Sequence, residues 1–132
     1  MSAAGVTVTR VNAPRSDERA ALGRAGEDAA LRLYERRGYA LVARNWRCSI
    51  GELDLVLLRR GTLVVCEVKT RSGAAFGGGY EAVTWSKRQK LRQLADAFLE
   101  QAGARVSAVR FDVASVWLGR GGADVEIFED AF

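Results

Sequence analysis

The segment from Gly51 to Arg71 constrains this chain more than any other. It reads Gly-Glu-Leu-Asp-Leu-Val-Leu-Leu, then a short Arg-Arg-Gly-Thr turn, then Leu-Val-Val-Cys-Glu-Val-Lys-Thr-Arg. Two runs rich in Val and Leu, joined by a connection containing Gly61, predict an antiparallel β-hairpin. Asp54, Glu67 and Lys69 sit inside those apolar runs, where core-facing residues are expected. Side chains alternate along a strand, so Glu67 and Lys69 share one face, and Val64, Cys66 and Val68 take the other. Glu52 and Asp54 likewise share a face, opposed by Leu53, Leu55 and Leu57.

One register of the hairpin sets Asp54 beside Glu67. Two carboxylates that close repel, and one is forced to hold its proton unless a cation lies between them. A divalent ion such as Mg²⁺ suits them, because it takes oxygen ligands and keeps several waters. Lys69 beside such an ion can orient a water or stabilise charge on a phosphate. The same three residues also fit an exposed sheet face carrying cross-strand ion pairs.

The remaining elements follow from punctuation and periodicity. Ser16 or Asp17 can cap a helix running to Arg37, with Gly38 as its stop and an apolar stripe of Leu22, Ala25, Ala29 and Leu33. Residues 1–15, which hold the only proline, read as a flexible tail, and 16–132 as one domain. Ala40 to Arg47 reads as a first strand. Ser72 to Gly79 is a Gly-rich loop without the lysine or spacing of a phosphate-binding P-loop, and a loop closing on substrate fits it better. Ser86 opens a second helix with a capping box and the stripe Leu91, Leu94, Ala95, Phe98 and Ala102. Arg105 to Leu118 alternates as a long strand, Gly119 to Gly122 is a turn, and Val125 to Phe128 is a last strand. Helix, three strands, helix, two strands predict an α/β sandwich around a mixed sheet.

Composition narrows the chemistry. The chain contains no histidine, which excludes His-based triads and His-ligated zinc. Cys48 and Cys66 lack metal-ligand spacing, and Cys66 reads as a small buried residue. The net charge is +4, and 17 of the 20 basic residues are arginine, a balance that suits a phosphate-bearing partner. Lys87, Arg88, Lys90 and Arg92 crowd the first turns of the second helix against its macrodipole; bound phosphate would offset this, and a solvated basic face is the equal alternative. Trp85, beside that cluster, is the best candidate for base stacking. No run approaches the ~20 apolar residues of a membrane span, and no apolar signal core opens the chain, so a cytoplasmic location is expected.

Gly51-Glu52-Leu53-Asp54-Leu55-Val56 followed by Cys66-Glu67-Val68-Lys69-Thr70-Arg71 resembles the PD-(D/E)XK endonuclease-like superfamily. Most of the chain resembles the YraN-like family of small bacterial proteins, including Gly23-Arg24-Ala25-Gly26-Glu27, Gly38-Tyr39, Asn45-Trp46-Arg47, Lys87, Arg110-Phe111-Asp112-Val113 and Ala131-Phe132. The resemblance implies a restriction-endonuclease-like fold, similar to that of archaeal Holliday-junction resolvases. It implies that Asp54, Glu67 and the Val68 carbonyl hold Mg²⁺ or Mn²⁺. Lys69 would then orient the attacking water, and Glu27 would be a further ligand, directly or through water. Leu53 stands where the superfamily's proline does. Lys87, Arg88, Lys90, Arg71 and Trp85 would contact nucleic acid. The implied activity is hydrolysis of phosphodiester bonds in branched or single-stranded DNA, in repair, recombination or DNA uptake. A homodimer would match the resolvases. A non-cleaving nucleic-acid-binding adaptor for a DNA-processing partner is the alternative, and a structural partner subunit is a third.

Overall fold

The computed structural model describes residues 13–72 and 85–132. Seven elements follow one another: α1 (Ala13–Arg36), β1 (Ala40–Arg47), β2 (Glu52–Arg59), β3 (Thr62–Ser72), α2 (Trp85–Ala102), β4 (Ala108–Gly119) and β5 (Gly122–Phe128). The order and type are those expected, and β1 has the expected limits. The tail does not extend to residue 15, because α1 already includes Ala13, Pro14 and Arg15; residues 1–12 lie outside the described residues. Ser72 closes β3, and the rest of the anticipated Gly-rich loop, 73–79, also lies outside them. Among the described residues no helix is long and apolar enough to cross a membrane.

The strands form one mixed sheet in the order β1-β2-β3-β4-β5. The β1–β2, β2–β3 and β4–β5 pairs are antiparallel, and β3–β4 is parallel. A parallel pair needs a crossover, and α2 supplies it. At the hairpin tip Arg59 pairs with Thr62 across Arg60 and Gly61, whose φ values of 51° and 80° meet the two-residue type I′ requirement for positive φ at both positions.

Each face of the sheet carries its own core. Leu55, Leu57, Val64, Cys66, Ala114 and Val116 pack against Ala29, Ala30 and Tyr34 of α1. Val56, Leu63, Val65 and Phe111 pack against Leu91, Leu94, Ala95 and Phe98 of α2. The central strands are thus covered on both sides, which is why they read as nearly continuous apolar runs. Each fully buried Leu or Val contributes about 1.5–3 kcal/mol. Strict alternation fails at the start of β2, where Leu53 joins the α2 core although Leu55 and Leu57 join the other.

The face of α1 that meets the sheet is rotated from the expected stripe. Gly26, Ala30 and Tyr34 form the buried ridge together with Glu27 and Ala29, while Leu22, Ala25 and Leu33 are only partly covered. Gly26 accounts for this. A Cβ there would collide with the Thr70 side chain, lying 2.8 Å from its Cβ, so only glycine lets α1 settle this closely on β3. That approach carries Glu27, the next residue, in toward the sheet.

Candidate functional site

The hairpin register runs from Arg59↔Thr62 to Leu55↔Cys66, and its continuation sets Asp54 opposite Glu67. Instead of a further ladder bond, the Val68 N–H donates to Asp54 Oδ2 at 2.9 Å. Asp54 is thereby fixed against the strand that carries Glu67 and Lys69. Burial and the Glu67 carboxylate push the Asp54 carboxyl up to about 7 from an ordinary 3.8, and the Val68 N–H only partly opposes them. Burial also pushes Glu67 up, against the pull of Lys69 and Lys87. Burial thus disfavours the charge on both acids, and the two lysines offset it only in part at Glu67.

Glu67 and Lys69 open onto a cavity of about 160 Å³ whose other lining residues are Glu52, Lys87, Lys90, Leu91 and Leu94. Lys69, Lys87 and Lys90 are the chain's only lysines, so all three meet at this cavity although arginine outnumbers lysine 17 to 3. An ammonium is a compact, rotatable point charge, suited to a phosphoryl group whose geometry changes during reaction; the guanidinium is a fixed fork. Leu91 and Leu94 of α2 give the cavity an apolar floor. Gly51 lies beside two lining residues, a Cβ there falling 3.1 Å from Lys90 Cε and 3.4 Å from Leu94 Cδ1.

Glu27 is buried, at 9 % exposure, and is not the solvated helix acid that its position off the leucine stripe suggests. Arg44 Nε donates to its Oε1 at 3.2 Å, and Asn45 Nδ2 to its Oε2 at 3.1 Å. The same Asn45 amide reaches Glu52 Oε2 at 3.3 Å. Arg44 is itself anchored on Asp28 at 2.7 Å and on the Arg24 carbonyl at 3.0 Å. Asn45 has φ of 53°, a left-handed conformation that Asn tolerates better than most residues. Arg44 and Asn45 hold Glu27 and Glu52 at the margin of the Asp54–Glu67 pair, whose protonation both acids influence. Periodicity gave no sign of this clamp; the Asn45-Trp46-Arg47 run marked it only through the family resemblance.

The remaining candidates divide. Arg71 follows Glu67 and Lys69 on the same strand face by alternation, and pairs across β4 with Trp117. Trp85 begins α2 and is 72 % exposed, whereas Trp46 packs edge-on against Phe98. Among the described residues Arg88 Nε is buried without a hydrogen-bond partner, and Arg88 does not line the cavity beside Lys87 and Lys90. Asp112 is no part of the site. It is fully buried on the α1 side, accepting bonds from Tyr34 Oη at 2.8 Å, from Arg110 Nε and Nη2 at 2.9 and 2.8 Å, and from the Asp130 N–H at 3.0 Å.

Among the described residues no three Asp, Glu or Cys side chains converge closely enough to enclose a metal on their own. The donor set nonetheless fits a hard divalent ion. Burial raises the cost of ionising both Asp54 and Glu67, and Glu67 adds to that cost at Asp54; a cation between them would remove it, and Mg²⁺ completes its shell with water.

Comparison with known proteins gives one consistent result. The model of an uncharacterised protein family, UPF0102, matches residues 26–116. A UPF0102 protein of Clavibacter michiganensis is 47 % identical over 111 residues, covering 83 % of this chain and 94 % of the relative. One from Pelotomaculum thermopropionicum is 42 % identical over 119 residues, covering 89 % and 99 %. Another, from Rhodococcus jostii, is 44 % identical over 113 residues, covering 85 % and 96 %.

Proposed function

From the premise that this chain belongs to the uncharacterised protein family UPF0102, the YraN-like family of the PD-(D/E)XK-like superfamily, we propose that it is a metal-dependent nuclease hydrolysing phosphodiester bonds in branched or single-stranded DNA. The observation that carries this reading is the meeting of Glu67 and Glu52 with all three lysines at one small cavity, with Asp54 held against the Glu67 strand through the Val68 N–H. A cavity holding paired acids and cations is built for an anionic substrate whose reaction develops more negative charge.

Asp54, Glu67 and the Val68 carbonyl would hold Mg²⁺ or Mn²⁺. When bound, such an ion supplies Lewis-acid polarisation and a more acidic water at neutral pH. Glu27 already accepts bonds from Arg44 and Asn45, and would act from outside, through water. Lys69 shares a strand face with Glu67, orients the attacking water and stabilises charge on the phosphoryl oxygens. Lys87 and Lys90 hold the phosphates flanking the scissile bond, and Arg71, Arg88 and Trp85 extend the contact to neighbouring nucleotides. Leu91 and Leu94 give part of the cavity an apolar lining, which lowers the local dielectric and strengthens these charge interactions.

The test is cleavage of labelled single-stranded, duplex, flapped and four-way-junction DNA with Mg²⁺ or Mn²⁺, comparing wild type, Asp54→Ala and Lys69→Ala. Metal-dependent cutting lost in both variants supports the reading. Binding without cutting, unchanged by either substitution, would replace it with the non-cleaving adaptor of a DNA-processing partner.

A further inference from the structure

At the far end of the hairpin from Asp54, Arg37, Gly38, Leu58, Arg59, Arg60 and Gly61 line a second, open depression of about 390 Å³. Three of these residues are arginines and none is acidic. We propose that this depression is a second binding site for the phosphodiester backbone of a nucleic-acid strand. The inference rests on the proposed reading that the chain acts on DNA.

Two observations set this cluster apart from an ordinary solvated surface. The first is Arg60. It occupies the first central position of the type I′ turn with φ of 51°, followed by Gly61 at 80°. Asn, Asp and Gly favour that position, and a residue with a long side chain is disfavoured there. An outlier of this kind points to a role for the side chain itself. The second is Arg59. Its Nη1 donates to the Arg37 carbonyl at 2.8 Å, and its guanidinium lies 4.8 Å from the centre of the Tyr39 ring. A guanidinium held in place beforehand loses little freedom when it meets a phosphate. The negative end of the α1 dipole accounts for cations at Arg36 and Arg37 and for the Arg59 bond. It does not account for Arg60.

The position suits a polymer better than a small anion. Arg59 follows Asp54 by five residues along β2, about 17 Å at ~3.3 Å per residue. The lysine cavity lies on the α2 side and this depression at the end of α1, so a ligand touching both must be long enough to pass round the edge of the sheet.

The experiment is a fluorescence-anisotropy titration of labelled duplex and single-stranded DNA in EDTA at several NaCl concentrations. Wild type is compared with Arg60→Asn and with Arg37→Gln/Arg60→Asn. Asn suits the turn, so thermal melting should show no loss of fold in Arg60→Asn. Each lost phosphate contact should lower the slope of log K against log salt by about 0.9 on duplex and about 0.7 on single strands. Affinity should fall several-fold and equally across sequences. A wild-type slope in both variants, with wild-type DNA binding intact, overturns the second site alone. Wild type that binds neither DNA form overturns this inference and the proposed function together. Displacement of labelled DNA by equimolar inorganic pyrophosphate overturns the polymer assignment in favour of a small-anion site.

Discussion

Asp54→Asn should stabilise the metal-free protein at alkaline pH, although it removes a residue placed at the heart of the site. Asp54 titrates near 7 in the fold against 3.8 ordinarily, because burial and Glu67 disfavour its charge. At about 1.36 kcal/mol per pH unit, that displacement corresponds to about 4 kcal/mol against the ionised native state. The partial exposure of Asp54 and its coupling to Glu67 reduce the expected gain to about 2–3 kcal/mol. The sign follows from the raised value. The protonated acid favours the fold, so this part of the stability is present below 3.8 and is lost as pH climbs through 7. Asparagine carries no charge at any pH and keeps an oxygen for the Val68 N–H. Urea denaturation in EDTA at pH 4, 6 and 8.5 should therefore show the two proteins close together at pH 4 and the variant ahead by 2–3 kcal/mol at pH 8.5. Equal stabilities at pH 8.5, or a less stable variant, would refute the claim that two crowded carboxylates await a cation.

Three further outcomes follow from the geometry. Asp112→Ala leaves Tyr34 Oη, the Arg110 guanidinium and the Asp130 N–H without their shared acceptor, and chemical denaturation should register a loss of about 3–5 kcal/mol. Gly26→Ala would gain up to about 1 kcal/mol in an isolated helix. Here the clash with Thr70 should reverse the sign to a loss of about 1–3 kcal/mol, partly restored by a second substitution, Thr70→Ala. Lys69→Ala should leave the melting temperature near that of wild type and lower the cleavage rate by about 10²–10³-fold, the scale seen when one preorganised charge-stabilising donor is removed.

The sequence disclosed the hairpin because two apolar runs joined by a short turn admit few registers; the observed one ends at Leu55↔Cys66, with Asp54 next in line and bonded to the Val68 N–H. It also disclosed α2, whose expected residues Leu91, Leu94, Ala95 and Phe98 are buried, although Ala102, the last of the expected stripe, is exposed at the helix end. It disclosed less where a residue's surroundings depend on close approach in three dimensions. The leucines of α1 suggest one helix face, but Gly26 packing on Thr70 selects another and brings Glu27 inside. Strand alternation puts Asp112 on the face opposite Phe111, without saying that α1 covers that face. Arg44 and Asn45 clamp Glu27 from a separate strand, a relation that no local period records. The convergence of three lysines from β3 and α2 on one cavity likewise needs the fold before it can be seen.

The most direct test of the central claim is a calorimetric titration of the metal-free protein with Mn²⁺ at pH 8, for wild type, Asp54→Asn and Glu67→Gln. The account predicts saturable binding to the wild type, with a melting temperature that rises with Mn²⁺ concentration, and loss of both effects in each variant. Absence of binding to the wild type, or binding that survives both substitutions, would contradict it.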